Sequence, residues 1–176
     1  MRGLSALPGL PRAALLLAIL PALGGCFHPL YASVDAATGR NVGSELQAIA
    51  VDPIPDRIGH YLGNELIFAL NGSGDEVAPR YRLTVTTHEA VQTALIDTLQ
   101  ARATAGTLIV YANYLLVPAG GGPPITSGLV TETATYDRSA QRFANVRAAR
   151  DAEIRAAQAI ADQIKTRIAA ALATRS

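Results

Sequence analysis

From Ala144 to Ala173 the chain reads ANVRAARDAEIRAAQAIADQIKTRIAAALA, the stretch from which the fold is decided. Ile154, Ala157, Ala161, Ile164, Ile168 and Leu172 recur at the spacing of one helix face, with Ile160 on its flank. Arg147, Asp151, Arg155, Asp162 and Lys165 fall outside that stripe. One long amphipathic helix is predicted. Pairs such as Asp151 with Arg155 add only about 0.2–0.5 kcal/mol, so packing has to come from the apolar stripe. Its many alanines let the helix lie close to a flat partner, which a sheet would supply.

Working back from the helix, the strands are found. Thr126 to Tyr136 is rich in Thr and Val, and Thr107 to Val117 is β-branched and aromatic. Between them Pro118 to Pro124, with Gly120-Gly121-Gly122, supplies a flexible turn, so a hairpin is expected. Tyr81, Leu83 and Val85 alternate with Arg82, Thr84 and Thr86, the pattern of a strand packed on one face only. Before it, Ile58, Leu62, Leu66, Ala69 and Leu70 mark a shorter helix, with Asp56 as its cap and Asn71-Gly72 as its stop. Leu46 to Val51 alternates as a short strand that Asp52-Pro53 and Pro55 end. The order β, α, β, β, β, α predicts an α+β domain, a roughly four-stranded sheet with two helices packed on one face as a two-layer sandwich.

The first 25 residues read as an export signal. Arg2 and Arg12 are their only charges, and Ala13 to Leu20 is an unbroken apolar run too short to span a bilayer. Leu23-Gly24-Gly25-Cys26 resembles the lipobox of bacterial lipoproteins. That resemblance implies cleavage before Cys26, a diacylglyceride on its sulfur and a further acyl chain on the new N-terminus. Two or three chains hold a protein on a membrane where one would let go, since each buried methylene adds about 0.8 kcal/mol. The alternative is an ordinary secretory signal beside a free thiol. It is disfavoured because signal, small residues and the sole cysteine coincide at one place. Residues 26–43 then read as a lipidated tether and 44–176 as one domain. Phe27, where an Asp would favour the inner membrane, favours the outer one.

Loss of Arg2 and Arg12 leaves 13 of the 15 basic residues against 14 acidic ones, so the mature charge is −1. So balanced a charge gives no support for nucleic-acid binding, which needs a dense basic face. With one cysteine, no internal disulfide forms. No catalytic constellation is evident. His28, His60 and His88 are far apart and lack partners at metal-ligand spacing. No serine stands in a Gly-x-Ser-x-Gly elbow. An acylated Cys26 is no nucleophile, and the triple glycine has no Lys-Ser/Thr after it. Asp52 and Asp56 are explained by strand termination and capping, and Asn71-Gly72-Ser73 by a turn. The chain is read as a non-enzyme without cofactor or metal.

Cys26-Phe27-His28-Pro29-Leu30-Tyr31 resembles the mature start of alphaproteobacterial LptE proteins, small lipoproteins of lipopolysaccharide transport, which commonly read Cys-Gly-Phe-x-Pro-Leu-Tyr. The Gly between Cys and Phe is missing here. The resemblance continues in Tyr136-Asp137-Arg138-Ser139 and in Phe143-Ala144-Asn145-Val146-Arg147-Ala148-Ala149-Arg150-Asp151-Ala152-Glu153. It implies a four-stranded sheet with two helices, and a lipid-anchored protein on the periplasmic face of the outer membrane. It also implies a plug inside the LptD β-barrel that helps the barrel assemble and assists lipopolysaccharide delivery to the outer leaflet. Arg102 matches a basic position near the start of the long strand, and its fork suits lipopolysaccharide phosphates or a polar barrel wall. The competing reading is an outer-membrane lipoprotein that activates a cell-wall synthase or serves an ABC-type lipid transporter. The Phe-x-Pro-Leu-Tyr start argues against it.

Overall fold

At Asn41 the side-chain oxygen accepts a hydrogen bond from the Gly43 N–H at 2.8 Å and so opens α1 (Val42–Gln47). The computed structural model describes residues 41–72, 77–97 and 102–175, with 94–97 and 102–104 in their main chain only. The expected signal 1–25, the expected lipid site Cys26 and the expected tether as far as Arg40 lie outside the described residues. Val42 and Leu46, four apart, are buried on one face of α1. Leu46 was expected to start a strand. It belongs to this helix instead, because alternation over a few residues also fits an i, i+4 pair, and β1 is only Ile49–Val51.

The Asp52 N–H still donates to the Leu83 carbonyl at 2.9 Å. Pro53 and Pro55, with no N–H to offer, end the strand there. Next comes α2 (Asp56–Asn71), which buries Ile58, Leu62, Leu66 and Leu70. Asp56 does not cap it as expected. Pro55 holds the capping position without a side-chain bond, and Asp56 is the first helical residue, with φ of 69°. The rigid prolines force the turn onto Asp56, a residue type that tolerates the left-handed region. It is still an acidic residue in the first turn, where the helix end carries partial positive charge. At the other end Gly72, with φ of 35°, donates its N–H to the Phe68 carbonyl, the stop that Asn71-Gly72 predicts.

Three long strands follow: β2 (Tyr81–Asp97), β3 (Arg102–Pro118) and β4 (Thr126–Asp137). The sheet order is β1-β2-β3-β4, with β1 parallel to β2 and the other pairs antiparallel. Gly121 and Gly122 take positive φ in the β3–β4 turn, where the predicted hairpin forms. β2 and β3 outrun their alternating segments. Their ladder continues to Asp97 opposite Arg102 through register shifts after Gln92, where main-chain bonding persists although the side-chain pattern lapses.

Leu83, Val85, Leu108, Val110, Ala112, Tyr114, Leu116, Val130 and Ala134 fill one sheet face. Over them lies α3 (Arg142–Ala173) beside α2. Ile160, placed on the flank of the stripe, is fully buried, while Ile154 is only half-buried, so the buried arc is turned toward Ala156 and Ile160. Fully burying a Leu or Ile stabilises by about 1.5–3 kcal/mol, and Leu62, Leu66, Leu83, Leu116, Ile160, Ile164 and Ile168 are all so placed. The fold is α+β as expected, with α1 as a third helix beside the two that were read.

Candidate functional site

Among the described residues all the helices share one side of the sheet, and none covers its other face. Side chains alternate along a strand, so the register assembles that face in rows. Thr84 lies beside Leu115 and Ser127, Thr86 beside Asn113 and Leu129, His88 beside Tyr111 and Thr131. Ala90, Ile109 and Thr133, then Gln92, Thr107 and Thr135, continue the series. Hydroxyls and amides dominate, and the His88 and Tyr111 rings stack at 6.2 Å. Leu115 and Leu129, 38 % and 49 % exposed, interrupt the polar rows as diagonal neighbours. The result is a flat, hydrogen-bonding wall with a small apolar spot.

Arg102 begins β3, and its main chain pairs with Asp97. It stands four residues beyond Gly106, the last buried residue toward that end among those whose side chains are described. At about 3.3 Å per residue that is roughly 13 Å past the core. Across from Leu108, Val91 is already 58 % exposed. The β2–β3 hairpin therefore extends past the packed core, with Arg102 at the start of its β3 arm.

The other residues singled out in the sequence are not brought together. His60 lies exposed on α2 with Asn64 at 3.4 Å, on a different element from His88, and His28 is outside the described residues. Asp52 accepts from the Thr84 hydroxyl at 2.8 Å and faces Arg82 at 3.8 Å, which ties the end of β1 to β2. Among the described residues no three His, Cys, Asp or Glu side chains converge to hold a metal. Nor is any helix among them long and apolar enough to cross a membrane. An open cleft of about 490 Å³ runs between α2 and α3 past Glu65, Phe68, Asp162 and Lys165.

Two buried acids escaped the sequence reading, since nothing in a single charged letter tells that it is enclosed. Glu45 accepts from the Tyr81 hydroxyl at 2.6 Å and from Arg80 at 2.9 Å, fastening α1 to β2. Burial, then the bond to Glu45, raise the Tyr81 pKa above its ordinary value. Glu153 holds both arms of the Arg57 guanidinium and joins α3 to the start of α2. That bond and the charge of Glu153 raise the Arg57 pKa. The first clamp fixes α1 to the sheet, and the second holds the two long helices together.

A lipoprotein candidate from Caulobacter crescentus CB15 superposes with a TM-score of 0.64 at 25 % identity, over 76 % of this chain and 97 % of that one. A minor lipoprotein from Acinetobacter baumannii gives 0.54 at 18 % identity, over 69 % and 90 %, and so shares the fold. No curated protein matches the sequence. The family model described as LptE, lipopolysaccharide-assembly, matches residues 46–168, from α1 into the last turns of α3, and the chain belongs to that family.

Proposed function

We propose that this protein is an outer-membrane lipoprotein, processed before Cys26 and held by lipid there on the periplasmic face. In this reading it plugs and helps assemble the LptD-type β-barrel and assists lipopolysaccharide delivery to the outer leaflet. The observation that supports it is the uncovered sheet face. A barrel lumen is polar and wet, and a wall of Thr, Asn and Tyr side chains can exchange hydrogen bonds with it without exposing a broad apolar patch. Residues 1–25 are the signal, 26–43 the tether with its last residues folded into α1, and 44–176 the working domain. Arg102, at the start of the projecting β3, meets lipopolysaccharide phosphate or the barrel wall.

Affinity purification from detergent-solubilised outer membrane tests the reading. A stoichiometric β-barrel partner is expected; a penicillin-binding protein or a transporter subunit in its place overturns it. Cys26→Ser should release the chain from the membrane fraction. Arg102→Glu should weaken lipopolysaccharide binding by the purified protein, and unchanged binding removes Arg102 from the proposal.

A further inference from the structure

β4 is an edge strand, and α3 reaches over its outer side at two points. Arg155 Nη2 donates to the Thr135 carbonyl at 3.0 Å, and Arg167 Nη1 donates to the Leu129 carbonyl at 2.8 Å. Main-chain groups of successive residues point to opposite sides of a strand, so Leu129 and Thr135, six apart, share one edge. The N–H and C=O of Thr131 and Thr133 lie on that edge between them. The spacings agree. Twelve helical residues from Arg155 to Arg167 rise about 18 Å, and six strand residues cover about 20 Å. An α3 antiparallel to β4 thus sets one guanidinium at each end of the same edge. Between them Gln163 Nε2 donates to Glu132 Oε2 at 3.0 Å and fixes the helix over the strand's middle.

The opposite sheet edge, β1, is three residues long and offers little to pair with. β4 has twelve residues, and Leu129, Thr131, Thr133 and Thr135 on its open face include strong strand formers. Such an edge is a template for strand addition unless it is blunted. We infer that the outer edge of β4 is a strand-pairing surface that fits a second copy of this chain, and that Arg155 and Arg167 hold it shut. The second copy follows from symmetry. An antiparallel pair about a two-fold axis at Glu132 sets Leu129 of one copy opposite Thr135 of the other, and such an interface is self-complementary. The two capped carbonyls are the outer rungs of that pairing. Glu132 would meet its own copy at the axis, a second obstacle.

The full chain in detergent, followed by sedimentation with the detergent density matched, tests this. Wild type should carry one copy per particle across the concentration range. R155A/R167A should shift to two copies as concentration rises, and adding E132Q should bring the shift to lower concentration. Adding T133P to R155A/R167A removes an outward N–H without touching the β3 ladder and should restore one copy. If R155A/R167A, with and without E132Q, stays at one copy per particle with wild-type helical circular dichroism, the inference is overturned. It is overturned equally if R155A/R167A loses that signal, because the guanidiniums would then serve to hold α3 rather than to close the edge.

Discussion

Glu153 on α3, 4 % exposed, receives both Nε and Nη2 of Arg57, the second residue of α2, with Nε to Oε2 at 2.7 Å. The pair is lopsided, since the Arg57 side chain is 58 % exposed and that of Glu153 only 6 %. Removing the arginine strands a buried carboxylate, whereas neutralising the acid lets the guanidinium return to water. Arg57→Ala should therefore cost about 3 kcal/mol, and Glu153→Gln about 1 kcal/mol. Arg57→Ala in the Glu153→Gln background should cost much less than alone. Denaturant unfolding of the three variants measures this, and equal losses for the two single changes would contradict it.

Tyr81 should make stability fall at alkaline pH. Its pKa is raised by burial first and by its bond to the Glu45 carboxylate second. A raised folded-state pKa means that the fold favours the protonated phenol. The resulting stability is full below the ordinary tyrosine value of about 10 and is lost as pH rises through the higher folded value. Thermal unfolding from about pH 8 to 11.5 should show a fall above pH 10. Tyr81→Phe cannot ionise, so it should flatten that fall while costing about 1 kcal/mol at neutral pH for the lost hydrogen bond.

Both long helices and three of the strands were legible because each repeats its apolar residues several times. Ile164, Ile168 and Leu172 on α3, or Leu83 and Val85 on β2, leave little choice of period. α1 was missed because Val42 and Leu46 make a single helical step, and two points fit a strand equally well. Asp56 was misassigned because a capping letter after two prolines looks the same whether it precedes the helix or turns into it. The uncovered face was harder still. Thr84, Asn113 and Thr131 read as ordinary polar strand positions, and only the register sets them side by side. Of the arginines over the β4 edge, Arg155 was placed only outside the apolar stripe and Arg167 was not singled out, since their acceptors are main-chain carbonyls and carry no sequence signature.

Gly59 lies within α2, where exchange for alanine in an exposed helix would gain about 0.5–1 kcal/mol. Here a Cβ would meet the Ile54 main chain, with its carbonyl oxygen at 2.8 Å and carbon at 2.9 Å. Main chain between Pro53 and Pro55 cannot step aside. Gly59→Ala should therefore destabilise by about 1–3 kcal/mol and push α2 away from the turn after β1. Gly63→Ala, one turn on with only the Ile54 Cδ1 at 3.9 Å, should be neutral or stabilising. Chemical denaturation of the two variants separates local contact from helix propensity.

Gly106 and Gly128 each face a tyrosine across the β3–β4 ladder, Gly106 opposite Tyr136 and Gly128 opposite Tyr114. A Cβ at Gly106 would fall 2.5 Å from the Tyr136 ring, and one at Gly128 would fall 3.0 Å from the Tyr114 ring. In each pair the ring lies over the bare glycine, so the two residues form one packing unit. Gly106→Ala should cost about 1–2 kcal/mol, and Tyr136→Ala a similar amount for lost cover. Together they should cost less than the sum by about 1 kcal/mol, because the three atoms nearest the new methyl all belong to the Tyr136 side chain and that clash goes with it. A thermodynamic cycle over the four proteins reads this coupling directly. Strict additivity would mean that Tyr136 swings away freely and that the glycine is there for another reason. Tyr114, only 5 % exposed, has no such escape, so Gly128→Ala should not be relieved by ring motion.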